Sequence, residues 1–383
     1  MLKTKSNQTK IRELDIDWLR VIGTLIIFFY HIARFFNLSD WHVKNNELSS
    51  LFHFFVIFTG QWIMPLFFAL SAVSIYHALN HREWWQFIIE RFKRLVIPLI
   101  VGSTVVLIPA QVYIERISHG DFSGSFIDFY PYYFKGLYAF GGNFAWMGLH
   151  LWYLEILFIF SMITLPFFLI LKWHKVQQIV KMMVSWVCFP FGFLLPFLML
   201  VPSEILMNQH LDTFGIRKFG GWALSTYLSI FIISYLLFTH RLFRKQLEKY
   251  RHFSLFFGLI VYTIGYFQFK SGFQESFVPY SFLRSLNCWV WLCAIFGFAK
   301  HHLSNNDSYL TYSCQAVMPF YVLHQTFIVV IGYFLSTMSL PIVVKFVVLA
   351  LSAFTLIMIC FETLIKKNRV LRVVFGMKGM HNG

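Results

Sequence analysis

Apolar residues recur along this chain in blocks of spanning length, separated by short basic or aromatic stretches. The blocks predict ten membrane helices, roughly 15–36, 51–79, 95–116, 147–171, 183–202, 222–239, 253–270, 283–300, 311–335 and 341–365. The seventh runs into Gln268 and Lys270 at its end. The fold class is therefore an all-α integral membrane protein with about ten transmembrane helices. Residues 1–14 read as an N-terminal tail, 15–365 as one membrane domain and 366–383 as a basic C-terminal tail. No internal repeat, low-complexity linker or appended soluble domain is visible.

Composition agrees: 58% of residues are hydrophobic and only 13% charged, more apolar surface than a soluble domain of this size could bury. Most of the 32 Lys and Arg residues fall in the N-terminal tail, the stretches 82–94, 172–181 and 241–251, and the segment after 365. With an even number of spans all of these lie on one side, which makes both termini cytoplasmic. The net charge of +15 is then a topology and lipid-surface signal, and no nucleic acid is needed to explain it. The N-terminal apolar segment is long and lacks a small-residue cleavage site, so it reads as an uncleaved first span.

Two polar residues stand inside that first block, in DWLRVIGTLIIFFYHIARFF. Arg20 and His31 are costly to keep in a bilayer, so both are functional candidates. Eleven residues make about three helical turns, so the two share one face, roughly 16 Å apart along the axis. Asp17 falls near the same stripe, about 21 Å from His31. Pairing with Arg20 is its simplest role.

A second basic segment, HREWWQFIIERFKRLVIP, precedes the third span. Read as an interfacial helix, it sets Trp84 and Trp85 in the headgroup zone and turns Arg91, Lys93 and Arg94 to headgroups or water. The same arginines, one turn apart, could instead grip a phosphorylated ligand. His150 opens the fourth span, with Trp152 beside it and Glu155 a turn further in, and His324 lies halfway through the ninth. Either histidine alone could serve an interhelical hydrogen bond. The loop at 117–146 is rich in aromatics, and reads either as an interfacial belt or as a lid whose rings and Asp128 pack on a sugar. His42 and the other remaining histidines show no usable pattern. The five cysteines lie in apolar segments and read as packing groups. No metal-ligand spacing appears, so no metal is expected.

The order LDIDWLR…YH, MPLFFALS, RFKRLVIP, HLWYLEILF, YVLHQ and a closing RVLRVVFGMK resembles the membrane-bound acyltransferase 3 family, nearest in motif to its glucan biosynthesis protein C branch of glucan succinyltransferases. The likeness spans nearly the whole chain. Ala72 in ALSAV departs from it, where the family usually has Gly after Ser.

The resemblance implies transfer of an acetyl or succinyl group from cytoplasmic acyl-coenzyme A to a hydroxyl of an envelope carbohydrate, at the bacterial inner membrane. It implies donor phosphates held by Arg20, Arg91, Lys93 and Arg94, and His31 as base or transient acyl carrier. Arg20 and Asp17 complete the catalytic set, and His150, Trp152, Glu155 and His324 fall near acceptor or cavity. A transporter or flippase for a glycan or lipid-linked substrate is the alternative, with the buried charges lining its path. Oligomeric state is left open by the sequence.

Overall fold

We describe residues 13–208, 220–270, 278–305 and 307–377 of a computed structural model. The tails at 1–12 and 378–383 lie outside the described residues.

The described chain is helical. In order it forms α1 (Leu14–Phe36), α2 (Ser50–Gly60), α3 (Ile63–His81), α4 (Trp84–Arg91), α5 (Ile97–Thr104), α6 (Leu107–His119), α7 (Phe126–Tyr133), α8 (Trp152–Ile170), α9 (His174–Val187), α10 (Val201–Asn208), α11 (Leu224–Leu237), α12 (Arg241–Lys249), α13 (Arg251–Lys270), α14 (Val278–His302), α15 (Ser308–Ser336), α16 (Ile342–Cys360) and α17 (Arg369–Val374). Two five-residue π turns, Phe92–Val96 and Phe361–Ile365, interrupt the ends of otherwise apolar runs.

Seven segments are long and apolar enough to cross a membrane, and two bent pairs raise the number to nine among the described residues. The seven match the first four and the last three expected blocks. The expected span at 183–202 is broken: α9 meets the next helical stretch at 113°. Pro190 removes an amide donor there, and Phe191 turns the chain with a positive φ of 65°. The expected span at 222–239 corresponds to α11, which turns by 103° into the basic helix α12. The block at 253–270 forms α13 but does not count among the spans.

Burial orders the bundle. In α14, 72% of the apolar window is buried, against 22% in α16. Residues such as Val343, Leu351 and Ile359 leave α16 facing outward, as expected of a helix whose solvent is lipid. Helix α1 packs against α2, α3, α14, α15 and α16, so its polar stripe meets the bundle interior. Its last carbonyls are closed by Lys44, whose Nζ donates to Arg34 O at 2.7 Å, Asn37 O at 2.6 Å and Asn37 Oδ1 at 2.9 Å.

The aromatic loop after α6 is compact. Ser125 and Asp128 form a capping box at the start of α7, with Ser125 Oγ donating to Asp128 Oδ2 at 2.6 Å. Asp128 is thus engaged at a helix start, and the Ser125 hydrogen bonds hold its carboxyl below the usual range.

Candidate functional site

A cavity of about 370 Å³ opens among α1, α3, the end of α4 and the π turn at Phe92–Val96, α8, α15, α17 and the residues after it. Four guanidinium groups line it: Arg20, Arg91, Arg94 and Arg372. No carboxylate does, among the described residues. The nearest acids stand behind the arginines and orient them. Asp17 Oδ1 accepts from Arg20 Nη1 at 2.8 Å, the pairing expected from their spacing. Ser74 Oγ accepts from Arg20 Nη2 and donates to Leu70 O at 2.5 Å. Glu90 lies 3.6 Å from Arg94 and 2.5 Å from Arg82.

The helix carrying Arg91 and Arg94 is not an element apart from the third span. It runs on into the third span, so that Trp84–His119 forms one apolar segment. The π turn adds a residue to the helical ladder. Arg91 and Arg94 both line the cavity, with Arg91 also lying over the Phe87 ring at 5.0 Å. Lys93, between them, is exposed and does not line it.

The inner end of the cavity is lined by Ser71, Tyr153, Tyr321 and Ile27. Ser71 Oγ and the Tyr153 hydroxyl are 2.6 Å apart, and Tyr153 donates onward to Phe67 O at 3.1 Å. Tyr321 donates to His150 O at 2.5 Å. One helical turn beyond lies a layer of three histidines drawn from α1, the start of α8 and α15. The His31 and His324 ring centres are 4.9 Å apart, those of His150 and His324 5.1 Å.

Hydrogen bonding assigns the protons in this layer. His324 Nδ1 stands 2.7 Å from Tyr321 O, which only accepts, so Nδ1 carries the hydrogen. In the neutral ring Nε2 is then an acceptor, and it faces His31 Nδ1 at 3.0 Å. His31 Nδ1 must therefore be protonated, and it shares that hydrogen with Ile27 O at 2.9 Å. Neutral His31 is left with a bare Nε2, the atom a general base or nucleophile needs. His150 donates from Nε2 to Val322 O at 3.2 Å. Its Nδ1 faces the Gln111 amide, which donates to Thr326 Oγ1 at 2.7 Å and accepts from Gln325 at 3.1 Å. The other ring nitrogens of the layer thus point at carbonyls, an amide and each other. Among the described residues no group of histidine, cysteine or acidic side chains is arranged to hold a metal.

Past the histidine layer, Trp41 stacks on His31 with ring centres 6.3 Å apart. The adjacent His42 is held by Glu115, whose two oxygens also accept from the Tyr138 hydroxyl at 2.7 and 2.9 Å. His42, patternless in the sequence, acquires its partner only across 73 residues.

Of the candidates from sequence, Arg20, Arg91 and Arg94 come together in the cavity, while His31, His150 and His324 come together beyond its inner end. Trp152 and Glu155 do not line the cavity. Trp152 packs instead against Phe68 and Tyr227. Among the described residues, the buried Oε2 of Glu155 has no hydrogen-bond partner. Sequence reasoning missed Ser71, Ser74, Gln111, Tyr153, Tyr321 and Arg372. One signal was available: in YVLHQ, Tyr321 precedes His324 and Gln325 by three and four residues, so all three share a helix face.

The bundle with its arginine-lined cavity and buried histidines is that of a multi-pass membrane protein. The chain matches the acyltransferase 3 family model, described as an acyltransferase domain, over residues 13–362. It belongs to that family and is an acyltransferase. It is 21% identical over 343 residues to glucans biosynthesis protein C of Escherichia coli O139:H28 (strain E24377A / ETEC), covering 85% of this chain and 84% of the relative. The protein of the same name from Escherichia coli O1:K1 / APEC is 22% identical over 344 residues, with the same coverage. No solved structure matches the chain.

Proposed function

We propose that this protein transfers an acetyl or succinyl group from acyl-coenzyme A, bound from the cytoplasm, to a hydroxyl of an extracytoplasmic glycan such as a periplasmic glucan, lipopolysaccharide or exopolysaccharide. The observation that carries this reading is the junction of an arginine-lined cavity with a histidine whose Nε2 is bare. In this reading the Lys and Arg excess around residues 82–94 and after 365 favours a cytoplasmic arginine mouth, in an inner-membrane protein.

In this reading the coenzyme phosphates meet Arg20, Arg91 and Arg94, each able to offer paired donors to a phosphate. The pantetheine arm runs down the cavity towards Tyr153 and Tyr321, bringing the thioester near His31. The acceptor hydroxyl arrives from the opposite side, where Trp41 and His42 lie. His31 Nε2 takes its proton as the oxygen attacks the thioester carbonyl. The tetrahedral adduct collapses, the C–S bond breaks, and the proton passes from His31 to the departing thiolate. His324 positions His31 by accepting from its Nδ1, and stabilises the imidazolium formed in between.

A transporter would share one feature with this molecule, its two bent helix pairs. No residue of either pair lines the cavity, so the discontinuities stand away from the charged path. The test is incubation of purified protein in nanodiscs with acetyl- or succinyl-coenzyme A and a candidate glucan. Free thiol released in step with an acylated glycan is the expected result. Glycan movement without thiol release overturns the reading.

A further inference from the structure

The sequence assigns everything after residue 365 to a tail, and the family match ends at 362. Part of that stretch instead folds back on the bundle. Asn368 starts α17, its Oδ1 accepting from Val370 N at 2.8 Å and Leu371 N at 3.1 Å. The helix packs on α5 and on both π turns, including the one that carries Arg94.

Three residues of this segment, Arg372, Gly376 and Met377, line the same cavity as Arg20, Arg91 and Arg94. The docking is specific at Gly376. Its carbonyl accepts from Arg94 Nε at 3.2 Å, and its φ of +68° is one that side chains rarely adopt. A Cβ placed there would come within 2.8 Å of Arg94 O, a backbone atom that cannot step aside. Arg372 Nη1 donates to Lys366 O at 3.3 Å, which ties the guanidinium to the end of the second π turn. Arg369 and Val370, on the same short helix, face outward.

We propose that residues 372–377 form a wall of the donor site, and that Arg372 is a fourth cation for the phosphates of the acyl donor. This rests on the acyl-coenzyme A reading above and extends it to the closing RVLRVVFGMK motif, which lies beyond the matched residues 13–362. Four guanidiniums with no carboxylate among the lining groups suit a ligand with several phosphate charges, such as one with a diphosphate and a phosphomonoester. The placement also explains the close fit at Gly376: a shift of that backbone would pull the acceptor away from Arg94 and move two cations together.

The experiment measures coenzyme A binding to the purified full-length protein in nanodiscs, together with its melting temperature. Arg372→Gln should weaken coenzyme A about tenfold without lowering the melting point. Arg372→Lys should recover part of that loss, because charge returns without the planar fork. Arg369→Gln removes the same charge from the outward side of the helix and should change affinity less than about twofold. An Arg372→Gln protein that binds coenzyme A like the parent overturns the proposal and leaves the acyltransferase reading standing, as does an equal loss in Arg369→Gln. A parent protein with no measurable affinity for coenzyme A overturns both.

Discussion

The arginine mouth and the histidine layer are adjacent ends of one path, built on opposite principles. At the mouth, charge is in excess: four guanidiniums line the cavity while Asp17 and Glu90 stand behind it. In the proposed reading that excess is what receives the donor's phosphates. In the histidine layer each assigned hydrogen is committed to a protein acceptor, and one ring nitrogen, His31 Nε2, remains for chemistry. The difference teaches how the proposed base and the proposed polyanion site could share one bundle. About three helical turns of α1 separate Arg20 from His31, and the Tyr153–Tyr321 pair lies at the inner end of the cavity, before the imidazoles whose neutral form the proposed chemistry uses.

The comparison can be broken most decisively at His31. His31→Ala should lower the acyl-transfer rate by roughly 100- to 10,000-fold, the span of general acid–base catalysis, while coenzyme A affinity stays unchanged. A matching loss in affinity would show that the two ends are not separate. Steady-state rates and equilibrium binding on the same preparation settle it.

A smaller effect is expected at the mouth. Arg91→Gln with Arg94→Gln should weaken coenzyme A by about ten- to a hundredfold, from charge-assisted hydrogen bonds of roughly 1.5–3 kcal/mol each. Lys93→Gln, exposed between them, should change affinity less than about twofold. Equal losses in both proteins would reduce the mouth to diffuse surface charge.

The smallest effect concerns Glu155, which lies in neither region. Because its buried Oε2 lacks a partner, Glu155→Gln should leave acyl transfer within about twofold of the parent. It should hold or raise thermal stability by up to about 1 kcal/mol, since a neutral amide is cheaper to bury than a carboxylate. A large loss of activity in that variant would bring Glu155 into the path.

Several of these features were legible in the chain. The run lengths gave the membrane class, and the first four and last three blocks survive as spans, the third extended back to Trp84. The break at 188–191 was also written locally, in Pro190 and Gly192, but apolar length masked it. The Arg20–His31 stripe and the Asp17–Arg20 pair follow from helical period alone. By contrast, the Glu155 side chain could not be placed, because a helix period says which residues share a face and not what that face meets. Trp152, likewise, went to an aromatic cluster with Phe68 and Tyr227, which no spacing in HLWYLE distinguishes from a cavity wall.

What the sequence by itself determined is what lies within one helix: apolar length, the common face of Asp17, Arg20 and His31, and the one-turn spacing of Arg91 and Arg94. What only the tertiary structure decided is every contact between helices. His31 meets His324 across 293 residues, His42 finds Glu115, and Arg94 finds Gly376 across 282. The physical reason is that a helix fixes its own periodicity through local hydrogen bonds. Its orientation about its axis, and the turn in register that a π bulge adds, are set by the packing of neighbouring helices in a solvent that offers no other partners.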